Sequence, residues 1–246
     1  MTGAFYRTLA RDAARRYPPR DRYARHFAFG KLTRDPAFRA LLERGLLPRE
    51  GALLDLGCGQ GVLVALLLAA RESHARGDWP QGWSAPPNPR RMRGIDWAPR
   101  DVLRARQAAG ADAEFIEGDI RSADFGRADT VVALDVLHYI DFPAQEVVLA
   151  RVRAALEGGG VLLLRVANAS RSLRFHFTVA MDRLAMAMRG QRFPRLWSRP
   201  AAEWRERLAA LGFAVEDLPM SEGTPFANVL LVARYHPRTP APSSPS

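Results

Sequence analysis

The sequence predicts an α/β protein: a doubly wound, Rossmann-like sheet of seven strands whose last strand runs antiparallel. Three observations predict it. From residue 51 onward, short apolar runs alternate with helical stretches, as in a parallel sheet with crossover helices. A glycine-spaced turn, Asp55-Leu56-Gly57-Cys58-Gly59-Gln60-Gly61, separates the first apolar run from a helix, where open α/β sheets bind ligands. Only residues 221–227 separate the last two strands. That is too short for a crossover helix, so the final strand must reverse.

The elements follow in order. Residues 1–50 read as helices and are expected to form a lid over the acceptor side of the ligand face. Phe5, Leu9 and Ala13 recur at helical spacing, a second helix surrounds Tyr23 to Phe29, and Pro18-Pro19 parts the two. Residues 51–236 carry the sheet. Its first strand is ALLDL (52–56), followed by the apolar helix that opens with the run 62–70. Residues 71–93 are an inserted loop rich in Trp, Pro and Arg. The second strand covers 92–96, a helix 101–109, the third strand 113–116 and the fourth 129–134. A helix over 143–156 ends at Gly158-Gly159-Gly160, and the fifth strand covers 161–166. A second insertion, 170–197, is expected to hold a helix over 173–188 with Phe177, Met181, Leu184 and Met188 on one face. The helix over 198–211 is capped by Ser198. Strands at 214–218 and 228–235 close the sheet, and the tail 237–246 is too poor in apolar residues to fold.

Composition excludes several classes. With 246 residues, 48% hydrophobic and 25% charged, the chain reads as a globular domain rather than a disordered one. Its longest apolar run has nine residues, against roughly 20 for a membrane span, and the N-terminus lacks a signal-peptide core. A single cysteine, Cys58, rules out an intramolecular disulfide and fits a reducing cytoplasm. No metal is expected. The net charge of +10 is uneven, because residues 1–50 hold twelve basic and five acidic side chains. Such a surplus suits an acidic partner or simply a solvated basic face. Of the 36 basic residues only Lys31 is lysine.

The chemistry sits at four strand ends. Glycines at alternate positions of 57–61 allow a tight turn and bring N–H groups close to a ligand at the helix start. A dinucleotide fingerprint reads G-x-G-x-x-G; here the third glycine comes one residue early, and Asp55 stands two before the first. Asp96 ends the second strand, where a carboxylate can accept two hydrogen bonds from a ribose diol or else cap the following helix; Trp97 follows it. After the third strand, Asp119 can accept from an adenine amino group and the Ile120 N–H can donate to the ring. Asp135-Val136-Leu137-His138-Tyr139 leaves the fourth strand. Asp135 reads equally as a strand-end acceptor, Cys58 as a small loop residue, and Trp79 and Trp83 as loop packing.

These four sites in order, with the closing hairpin, resemble the class I S-adenosylmethionine-dependent methyltransferases over roughly residues 45–236. The resemblance implies S-adenosylmethionine as cofactor. Asp55, Gly57, Cys58, Gly59 and Gly61 would hold its methionine end, Asp96 its ribose, Asp119 and Ile120 the adenine, and Trp97 and Asp135 would also border the cofactor. One departure is visible: Asp55 and Asp96 lie 41 residues apart, about twice the family's usual interval, and the surplus is the 71–93 loop. The stretches RHFAFGKLTRDPAF, GDWPQGW, LDVLHYID and SEGTPFANVLLVAR are further similar to small methyltransferases of bacterial aryl-polyene pathways. That implies an aromatic, hydroxyl-bearing small-molecule acceptor, free or bound to an acyl carrier protein. The phrase around His138 is similar to the stretch carrying the catalytic histidine in many hydroxyl-directed methyltransferases, so His138 is the candidate general base. The alternatives are an RNA- or protein-modifying methyltransferase, against which stands the lack of an RNA-binding module, and a cofactor-binding protein without catalysis.

Overall fold

The computed structural model describes residues 2–47, 49–156, 158–167, 196–220 and 228–236. The calls on the helix at 173–188, the loop at 221–227 and the tail at 237–246 fall outside them. Seven strands form one sheet in the order β3-β2-β1-β4-β5-β7-β6. They are β1 (Ala52–Leu56), β2 (Arg91–Asp96), β3 (Glu114–Glu117), β4 (Thr130–Leu134), β5 (Gly160–Ala167), β6 (Phe213–Pro219) and β7 (Asn228–Tyr235). β1 to β5 pair in parallel, while β7 is antiparallel to both β5 and β6. The chain order reverses between β1 and β4, and a crevice opens at the carboxyl ends on either side of such a switch point.

Two apolar layers cover the sheet. One gathers α1 (Thr2–Arg15), α2 (Arg22–Arg34), α3 (Pro36–Glu43), α4 (Val62–Ala75) and α5 (Pro99–Ala109) over Leu53, Met92, Phe115 and Val132. The other packs α6 (Phe142–Ala155) and α7 (Ala201–Ala210) on Leu54, Leu56, Ile95 and Val131. Helix α4 is apolar around its whole circumference, with residues 62–70 all buried. Such a helix needs cover on both sides, and α1 with the residues just after it supplies the outer one through Tyr6, Leu9, Ala10, Ala13 and Tyr17. The N-terminal helices therefore share one core with the sheet.

Several boundaries differ from expectation, each for a local reason. Residues 2–43 form three helices rather than two, because Asp35 caps α3 through the Ala37 N–H (3.1 Å) and Pro36 occupies its first turn. Helix α4 continues to Ala75, into the expected loop. Ser198 does not cap α7: the helix starts at Ala201 behind Pro200, leaving Ser198 too far upstream to reach its first N–H groups. In the insertion, Trp79, Trp83 and Phe5 meet edge to face at 5.6–5.7 Å, so the two tryptophans pack the loop onto α1.

Candidate functional site

The loop after β1 is hung from β2. Gly57 and Cys58 donate backbone N–H bonds to the Ile95 carbonyl (2.8 and 3.2 Å), and Gly59 N–H donates to Asp96 Oδ2 (2.8 Å). Gly57, Gly59 and Gly61 all have positive φ, 53–76°, but their surroundings differ. A Cβ on Gly57 would lie 2.5 Å from Val136 Cγ2, and one on Gly61 would lie 2.9 Å from Ala105 Cβ. A Cβ on Gly59 would meet nothing within 4 Å. Two glycines are thus needed for protein packing, and Gly59 faces open space at the start of α4, where the helix dipole and N–H groups point.

Two carboxyl groups border this loop. Asp96, 9% exposed, accepts from Gly59 N–H and, through Oδ1, from Ala98 N–H (2.9 Å). It shapes the glycine loop and the turn that leads into α5, but the helix has Ala98 at its N-cap and no side-chain cap, so Asp96 does not cap the helix itself. Asp55 is 4% exposed, and it accepts no hydrogen bond and meets no cation among the described residues. Burial, reinforced by the charge of Asp96, pushes its pKa up to about 8. Burial likewise raises the Cys58 thiol well above its usual range, with Asp55 and Asp96 adding to the effect, so Cys58 is no thiolate nucleophile. Beside the pair, Trp97 is 58% exposed. Asp119 spends both oxygens on Arg121, accepting from its backbone N–H (2.9 Å) and its guanidinium (2.8 Å), which holds it below the usual carboxylate range. An adenine amino group would have to share those oxygens. Ile120 is buried, and its carbonyl accepts from Arg151 (3.0 Å).

The far side of the site is a closed ionic cluster that sequence reading missed. Arg165 on β5, 1% exposed, donates through Nε to Asp135 Oδ1 (2.8 Å) and through its terminal nitrogens to Asp135 and Asp35. Lys31 completes it, 2.8 Å from Asp35 and 3.5 Å from Asp135. Burial pushes both carboxyl groups up, but Arg165 and Lys31 more than offset it and hold both below the usual carboxylate range. Asp135 adopts φ +57°, alone among the described non-glycine residues, with its carboxylate turned to the cluster. One signal was legible: in a chain that otherwise uses arginine throughout, position 31 is lysine.

His138 lies on the short 3-10 turn Leu137–Tyr139. It is 5% exposed, and burial, with Asp135 and Arg165 pulling in opposite directions, lowers its pKa to about 4. Gln145 on α6 fixes the turn by donating to the carbonyls of Leu137 (3.0 Å) and Trp197 (2.7 Å). The N-terminal helices close over the glycine loop: Tyr17 Oη donates to the Gln60 carbonyl (2.9 Å), and Gln60 Nε2 donates to the Ala24 carbonyl (2.8 Å).

A glycine loop with open space at its centre, flanked by a buried carboxyl that meets no cation among the described residues, fits a ligand that carries positive charge. Residues 23–218, more than half of the chain, match the family model described as a methyltransferase domain. The chain is a class I S-adenosylmethionine-dependent methyltransferase. Its cofactor is S-adenosylmethionine. Part of this methyltransferase, 122 residues or 47% of the chain, is 35% identical to carboxy-S-adenosyl-L-methionine synthase of Chromohalobacter salexigens, and the match spans 40% of that relative's length. Solved structures of similar fold include an O-methyltransferase family protein from Burkholderia thailandensis (TM-score 0.63, 21% identity, 89% of this chain and 61% of that one). Magnesium protoporphyrin IX methyltransferase from Synechocystis PCC 6803 with bound SAH is another (0.56, 18%, 96% and 98%). DhpI in complex with SAH is a third (0.59, 20%, 97% and 100%). Among the described residues of the methyltransferase, no helix is long and apolar enough to cross a membrane.

Proposed function

We propose that this methyltransferase acts on a small aromatic acceptor through an acidic hydroxyl or carboxyl oxygen. The observation that carries the reading is the buried, near-neutral His138 beside the closed Asp135–Arg165 cluster. S-adenosylmethionine, when bound, supplies an electrophilic methyl group on a positively charged sulfur. In this reading Asp55 and the 57–61 loop hold the methionine end, Asp96 the ribose, Trp97 one face of the adenine, and Asp119 with Ile120 its edge. The acceptor enters beyond Asp135 and His138 under α1–α3.

His138 is the candidate base. With a pKa near 4 it is neutral at pH 7 and can accept a hydrogen bond, but it takes a proton readily only from an acidic group. An ordinary phenol, with a pKa of about 10, would transfer its proton uphill by about 8 kcal/mol. A carboxylic acid or an electron-poor, conjugated phenol suits this base better. The fold shared with an O-methyltransferase family protein supports an oxygen acceptor, and a carrier-bound form of the acceptor remains within the proposal. The test is a panel of simple phenols, conjugated hydroxyaryl acids and benzoic acids, incubated with S-adenosylmethionine and read by mass. Methylation confined to simple amines or to RNA would overturn the reading.

The match to carboxy-S-adenosyl-L-methionine synthase favours a second reading, in which the cofactor itself is modified. The same mass measurement, repeated with an added organic acid able to donate a carboxyl group, separates the two: SAH marks methyl transfer, whereas a carboxylated cofactor marks the alternative.

A further inference from the structure

Asp55 and Asp96 stand at the ends of adjacent strands in unlike surroundings. Asp96 receives the N–H groups of Gly59 and Ala98, whereas Asp55 receives no donor from the described residues. Its neighbours across the sheet, Gly94 on β2 and Val132 on β4, bring no charge. Among the described residues, the ionisable groups nearest it are Asp96 from β2 and the Cys58 thiol from the glycine loop, and those interacting in turn with Cys58 are Asp101 of α5 and Tyr17 just beyond α1; none of these is a cation. A buried carboxyl beside another acid keeps its proton, since both burial and like charge disfavour ionisation.

We propose that Asp55 is protonated in the ligand-free protein and releases its proton to solvent as the cationic methionine end of S-adenosylmethionine arrives, making cofactor capture proton-coupled and selective for ligands that carry an α-ammonium group. The inference rests on the placement of Asp55 at the methionine end. The balance is simple: a neutral carboxyl and a bound cation become a carboxylate–ammonium pair, and one proton passes to the buffer. Affinity then rises with pH up to about 8, where the carboxyl is half ionised without ligand. SAH keeps the ammonium group and shares the effect. 5′-Methylthioadenosine, which lacks the amino-acid end, does not.

Isothermal titration at pH 6.5 in PIPES and in imidazole counts the protons, because the observed heat follows the ionisation enthalpy of the buffer. Wild type is expected to release close to one proton per S-adenosylmethionine or SAH bound and almost none per 5′-methylthioadenosine. Asp55→Asn, isosteric with the protonated acid, should release almost none with any ligand. A proton count near zero in wild type, or an equal count in Asp55→Asn, overturns the inference. If the variant binds too weakly to titrate, the wild-type affinity decides: more than about tenfold tightening from pH 6 to pH 8 supports the proposal, and a flat profile overturns it. Failure of wild type to bind S-adenosylmethionine at all would overturn the placement of the cofactor and this inference with it. Binding without proton release removes the inference alone.

Discussion

At the ends of β1 and β2 the site holds Asp55 with neither donor nor cation of the described residues beside it, while at the ends of β4 and β5 Asp135 and Asp35 are enclosed by Arg165 and Lys31. Both pairs of acids are largely withdrawn from water, yet burial lifts Asp55 to about 8 and the two cations hold the other pair low. The difference teaches where a cation is missing. One half leaves a charge for its ligand to meet; the other is complete without ligand and serves as a fixed wall. The wall also ties α2 and α3, which carry Lys31 and Asp35, to the sheet.

The largest expected effect comes from breaking the wall. Arg165→Met would remove the fully buried cation and leave the half-buried Asp35 and Asp135 with Lys31 alone between them, and removing one partner of a buried ion pair costs about 3–5 kcal/mol. For a chain of this size that is a fall in melting temperature of about 10 °C. Arg165→Lys should recover only part of it, because an ammonium group cannot reproduce the fork that meets both acids. A melting temperature within about 2 °C of wild type for Arg165→Met would remove the contrast between the halves.

Asp55→Asn should act in the opposite direction. The folded pKa of Asp55 lies above that of an unfolded carboxyl, so its contribution is intact below pH about 4 and lost as pH rises toward 8. The variant should therefore melt about 5 °C above wild type at pH 7.5 and close to it at pH 4, while binding S-adenosylmethionine more weakly. Equal melting curves at pH 7.5 would show that the acid already has a partner.

The glycine loop sharpens the contrast within one half. Gly57→Ala meets Val136 and should cost about 2–3 kcal/mol of stability, from the clash and the left-handed backbone together. Gly59→Ala carries only the backbone cost of about 1–2 kcal/mol, but its methyl group enters the ligand space and should weaken S-adenosylmethionine about tenfold or more. Melting and titration of both variants check the reversal of rank.

Smaller effects are expected at the rim. Trp97→Ala, which removes an exposed ring proposed to stack on adenine, should raise the dissociation constant about three- to tenfold without changing the melting temperature. His138→Gln should lower turnover by about a hundredfold, the low end for general-base help, and leave cofactor affinity intact. Normal turnover in His138→Gln would mean that the acceptor arrives already ionised.

Much of this was legible in the sequence because it depends on local rules. The order of strands, the reversed last strand and the glycine turn follow from spacing and loop length, and Asp96 was readable as a hydrogen-bond acceptor at the end of its strand. Beyond the lone lysine at position 31, the ionic wall was not legible. It joins Lys31, Asp35, Asp135 and Arg165 across 134 positions of chain, and Arg165 sits in an apolar run that reads as an ordinary core strand. The third N-terminal helix was signalled by Asp35-Pro36 but hidden by the continuous helical texture around it. Nor could spacing show that Gly57 and Gly61 are filled by Val136 and Ala105 while Gly59 is not, since the three are equivalent until the sheet brings their neighbours into place.

The most direct test of the contrast is a carboxyl-carbon NMR titration of the protein labelled at aspartate, with Asp55→Asn and Asp135→Asn used to assign the two signals. The account predicts that Asp55 titrates near pH 8 in the absence of ligand and shifts to lower pH when S-adenosylmethionine is added. It predicts that Asp135 titrates below the ordinary aspartate range, with or without cofactor. Two ordinary titrations near pH 4, both indifferent to the cofactor, would contradict it.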